Sequence, residues 1–73
     1  MSALATPIAR TQRVLDDLPA RSVVIDGHGD VWQQGPAMDT GYWYRAYDGE
    51  GRSSWDAAQV MGAKVVVLKR GAL

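Results

Sequence analysis

Asp26, His28 and Asp30 stand at alternate positions in the stretch DGHGD, where the chain's one histidine sits between two glycines. Two carboxylates and an imidazole drawn together by a tight turn are oxygen and nitrogen ligands of the kind a divalent cation takes. A full calcium loop also needs further ligands and a bidentate acid near its end, and no such acid is spaced for it here. The same residues serve equally as a chain reversal. Gly27, His28 and Gly29 make a three-residue hairpin connection in which a glycine takes the left-handed conformation. That use requires no ligand and is the primary expectation; Asp26, His28 and Asp30 remain the alternative metal set.

Nucleophilic chemistry is poorly provided for. Cysteine is absent, so a nucleophile–base pair would have to join Ser22, Ser53 or Ser54 to His28, and no spacing recommends any of them. The glycines nowhere form a phosphate-binding fingerprint between a strand and a helix. The chain therefore reads as a non-enzyme, with no catalytic residue and no cofactor.

The aromatic residues carry more promise. Trp32, Tyr42, Trp43, Tyr44, Tyr47 and Trp55 all fall between residues 32 and 55. Trp32, Trp43 or Tyr44, and Trp55 are expected to fill a small core. Residues 42–47 read as a strand with Trp43, Arg45 and Tyr47 on one face and Tyr42, Tyr44 and Ala46 on the other. Rings on both faces cannot all be interior, and exposed tyrosine beside arginine is common at binding surfaces. Tyr42, Arg45 and Tyr47 are the candidate partner-binding residues.

The elements that must hold these side chains begin with a helix over residues 6–18. Thr6 is placed to cap it and Pro7 occupies the first turn, where a missing N–H costs nothing. Ile8, Thr11, Leu15 and Leu18 form a narrow apolar stripe, with Leu4 four residues before Ile8, and Pro19 ends the run. Such a stripe either docks on the domain or pairs with a copy of itself, which makes these residues the candidate self-association surface. Residues 22–26 and 30–34 read as the strands of the DGHGD hairpin. A loop follows to Gly41, and Asp48-Gly49 marks a second turn. Ser53 or Ser54 caps a short helix near 54–61 with Trp55, Ala58 and Met61 inward, ended by Gly62. Residues 63–69, AKVVVLK, are apolar on both faces, as in a central strand or one covered by the first helix.

With 73 residues the chain is one domain, 1–73, with an N-terminal helix and a β-rich core at 22–71. The fold class expected is mainly β with added helix (α+β): an SH3-like, partly open barrel of four to five strands, which buries both faces of short strands economically. No apolar run approaches the roughly 20 residues that span a bilayer, and no leader of secretory type opens the chain. Together with the absence of cysteine this points to a reducing cytoplasm. All eight acids lie in residues 16–56, whereas Arg10, Arg13, Lys64, Lys69 and Arg70 lie outside it. The aromatic segment is thus in acidic surroundings, which argues against nucleic acid as the partner.

The stretch LPARSVVIDGHGDVWQ (18–33), with the aromatic strand and the closing VVVLKRG, resembles small proteins of bacteriophages that infect actinobacteria. Those proteins often carry an LPxGSVV-type strand, a D-x-x-G-D turn, a following tryptophan and a valine-rich last strand. The similarity covers about residues 18–34 and 63–71, and departs at Arg21, where such sequences usually have glycine. The resemblance implies an accessory protein that binds a host protein or forms a small homo-oligomer, in the cytoplasm of the infected cell. It carries over no catalytic residue, and gives Asp26, Gly29, Asp30 and Trp32 structural roles. The expected function is that of a protein–protein interaction module, with a nucleic-acid-binding domain or a virion component as alternatives.

Overall fold

The computed structural model of the chain describes residues 6–36, 38, 41–46 and 49–71. Its elements are α1 (Pro7–Asp16), β1 (Val23–Asp26), β2 (Val31–Gln34), β3 (Tyr42–Arg45), β4 (Arg52–Ser53), α2 (Ser54–Met61) and β5 (Val65–Lys69). Leu4, Tyr47 and Asp48, on which parts of the sequence reading fall, lie outside the described residues.

Local chemistry sets both helices. The Ala9 amide donates to Thr6 Oγ1 at 3.0 Å, so Thr6 caps α1 ahead of Pro7. The Asp56 amide donates likewise to Ser53 Oγ at 3.2 Å, and Gly62 closes α2. Each cap satisfies an amide that has no partner inside its helix.

Strands β1 to β4 run as an antiparallel meander, and the chain then crosses through α2 to lay β5 against the far side of β1. The strand order is β4-β3-β2-β1-β5. This corrects the barrel expectation: the fold is a small α+β open sheet, with β4 and β5 at opposite edges. Closure is unnecessary because α1 and α2 pack together and cover one face. Leu15, Leu18, Ala57, Ala58 and Met61 from the helical side meet Val24, Trp32 and Trp43 of the sheet.

The α1 stripe is therefore used within the chain. Thr11, Leu15 and Leu18 are buried and Ile8 packs beside them. Thr11 Oγ1 also donates to the Gly62 carbonyl at 2.7 Å, fastening α1 to the end of α2. A buried hydroxyl needs such a partner, since leaving it unpaired costs about 1–3 kcal/mol. Gln34, 2% exposed, joins the layers again: its Nε2 donates to the Leu18 carbonyl at 3.0 Å, and its Oε1 accepts from the Gly41 amide at 3.0 Å.

Two expectations about apolar residues need correction. Trp55 is 58% exposed, because the inward side of α2 is set by Ser54, Ala57, Ala58 and Met61, and Trp55 falls a third of a turn away. Strand β5 is not central, although Val65 packs against the core. It is an edge strand in which Val66, Val67 and Leu68 are 60%, 38% and 55% exposed. Its end is held closely all the same: the Gly71 amide donates to Ser22 Oγ at 2.8 Å, and a Cβ at Gly71 would land on the Ala20 carbonyl.

Candidate functional site: the open face of the sheet

Asp26 organises the DGHGD turn. Its Oδ1 accepts from the amides of His28 (2.8 Å) and Asp30 (3.0 Å), and its Oδ2 accepts from Trp32 Nε1 at 2.9 Å. Gly29 supplies the left-handed residue at φ 88°. Burial pushes the Asp26 carboxyl pKa up, but the Trp32 indole, the two turn amides and the charge of His28 outweigh it, so the pKa lies below the ordinary value of 3.8. Three N–H donors thus engage three of the roughly four lone-pair sites of the carboxylate. Among the described residues no three histidine, cysteine or acidic side chains gather as a metal centre needs. His28 is exposed at the tip of the turn.

Arg45 and Tyr42 do not share a surface. Register pairs Trp32 with Arg45 and Gln34 with Trp43, so Arg45 belongs to the helix-covered side of the sheet. Its guanidinium lies 5.1 Å from the centre of the Trp32 ring, and its Nη1 is 3.7 Å from Asp30 Oδ2. Stacking of this kind contributes about 0.5–2 kcal/mol and ties β3 to Trp32 and the end of the turn. Tyr47, the third candidate, lies outside the described residues.

Among the described residues, the opposite face of the sheet has no layer over it. Its middle row, read across the strands, is Tyr44, Gln33, Val23 and Lys69. On one side Ile25 pairs with both Val31 and Val66. On the other side Gly35 is bonded to the Tyr42 carbonyl and to the Arg21 amide. Tyr42 is 50% and Val31 37% exposed. Three adjoining depressions of about 420, 270 and 280 Å³ meet at Gln33 and make a shallow trough from Tyr44 to Lys69 and Arg70. Among the described residues no carboxylate lines any of them. Arg21 stands over the trough with its backbone at φ 66°, the left-handed region that favours glycine. A bulky residue held there costs about 1 kcal/mol.

Tyr42 is a surface ring, as alternation along residues 42–47 allows, and Arg21, Gln33, Val66, Leu68 and Lys69 join it on this face. Alternation in VVVLK does place Val66 and Leu68 on one side, but only the β1–β5 pairing brings them to the same face as the tyrosines. Comparison of the chain with protein-family models, with curated proteins and with solved structures finds no match. Among the described residues no helix is long and apolar enough to cross a membrane.

Proposed function

We propose that this protein is a non-enzymatic interaction module that binds another protein through the open face of its sheet. The observation carrying this reading is that, among the described residues, a five-strand sheet packed against helices on one side presents tyrosines and branched aliphatic side chains on the other with no layer over them. Burying that surface removes apolar area from water at about 25 cal/mol per Å², and tyrosine gives contact area at low entropic cost. The resemblance to accessory proteins of actinobacterial phages supports a host protein as the partner and the cytoplasm of the infected cell as the setting.

The test compares capture from an actinobacterial lysate by the wild type and by the folded double variant Tyr42→Ala/Val66→Asp. The reading expects a protein that the wild type retains after nuclease treatment and the variant loses. Equal capture by both would remove the open face from consideration. One observation favours a second reading, nucleic acid: the fold brings Arg21 and Lys69 onto the same face as Tyr42 and Tyr44, which their separation in sequence conceals. Binding of that kind weakens steeply as salt is raised.

A further inference from the structure

We propose that β5 is a docking edge and that its occupant is an extended, acidic segment of the protein partner, added antiparallel as a sixth strand. This deepens the proposed function and rests on it. Strand β5 ends the sheet, so among the described residues one side of its backbone has no neighbouring strand. The Gly27 amide donates to the Lys64 carbonyl. Because ladder bonds alternate along an antiparallel pair, the Val66 N–H faces β1 while those of Val65 and Val67 face outward. An incoming strand would use those outward groups.

Charge selects the occupant. Lys64, Lys69 and Arg70 are exposed and bracket the edge, and β5 and its flanks carry no acid. Two copies pairing about Val67 would set Lys64 of each opposite Arg70 of the other, and like charges directly opposite are destabilising. Lysines on an edge strand are a common guard against self-pairing. An acidic strand meets the same cations as partners. Its apolar residues, at every second position, would lie beside Val66 and Leu68 and continue the open face outward. Main-chain bonds give such strand addition its affinity, and alternate side chains give it specificity.

The probe is a soluble peptide of alternating glutamate and valine, with the lysine–valine peptide and oligothymidylate as controls. Amide NMR and hydrogen exchange on the labelled full chain are the readouts. The glutamate peptide should shift the signals of residues 64–70 and protect the Val65 and Val67 amides about tenfold, while the controls should do neither. Val67→Pro removes an outward N–H without touching the β1 ladder, so it should abolish the effect while the Val66 amide stays protected. Should that variant not fold, Lys64→Glu/Lys69→Glu/Arg70→Glu decides, since it must lose the glutamate peptide and gain the lysine one. The proposal fails if Val65 and Val67 stay unprotected, if both peptides bind alike, if oligothymidylate protects the edge, or if sedimentation shows β5-dependent dimers. Shifts confined to Tyr42, Tyr44 and Gln33 would sink the edge and leave the open-face reading standing.

Discussion

Replacing Asp26 with asparagine keeps the shape of the side chain and exchanges one acceptor oxygen for a donor. The native carboxylate faces three N–H groups, and the Trp32 indole is fully buried. Whichever way the substituted amide is turned, it sets N–H against N–H, at the indole or at the turn. A buried donor left unpaired costs about 1–3 kcal/mol, so Asp26→Asn should lose about 2 kcal/mol. In Asp26→Ala all three donors lose their acceptor. Water can reach the turn amides but not the indole, and the loss should approach about 3–4 kcal/mol, comparable to the whole stability expected of a core this small. Urea unfolding followed by tryptophan fluorescence measures both. Acid supplies a second reading. The folded carboxyl pKa lies below its unfolded value near 3.8, so its contribution is present above that pH and is lost as pH falls through the folded value. The stability gap between wild type and Asp26→Asn should therefore narrow in acid. Two variants within about 0.5 kcal/mol of wild type, the scatter typical of surface changes, or a gap that widens below pH 3.8, would refute this account of the turn.

Arg21→Gly relieves the left-handed backbone at φ 66° and should stabilise the fold by up to about 1 kcal/mol in thermal unfolding. Gly71→Ala sets a methyl group on the Ala20 carbonyl, so exchange of the Gly71 amide should quicken and the melting temperature should fall. Thr11→Val removes the hydroxyl that ties α1 to Gly62 and should cost about 1–2 kcal/mol in urea, while Thr11→Ser should retain most of the tie. Iodide should quench Trp55 and leave the emission of Trp32 and Trp43 unchanged, because the first is 58% exposed and the others fully buried; the Trp55→Phe variant should show almost no quenching.

Where a residue answers to its immediate neighbours in the chain, its role was legible. Thr6, Pro7, Ser53 and Gly62 mark the helix ends, and the DGHGD turn follows from glycine and aspartate chemistry. The inward stripe of Thr11, Leu15 and Leu18 follows from helical spacing. The corrections to the sheet come from pairings between distant segments. An apolar VVVLK suggests an interior strand, but its position at the edge depends on α2 carrying the chain past β1. The barrel failed for the same reason, because helices covered the apolar face that curling would otherwise have buried. Trp55 is exposed despite its large ring because its phase on α2 differs from that of Ser54, Ala57, Ala58 and Met61. For the site, alternation along β3 already puts Tyr42 and Arg45 on opposite faces, as the register confirms. Arg21 stands where the resembling phage proteins usually carry glycine, in keeping with its left-handed backbone, whereas nothing local to Lys69 places it on this face.

The pairing of β1 with β5 joins residues 23–26 to residues 65–69, so the sheet acquires its last strand only across a loop of some forty residues. Until that loop closes, the hairpin and the meander can assemble while β1 itself remains a bare rim, open to any neighbouring chain. Slow, late docking of β5 would make crowded, freshly made chains the ones most prone to stick to one another. Removal of residues 65–71 should yield a product that precipitates rather than a smaller folded unit.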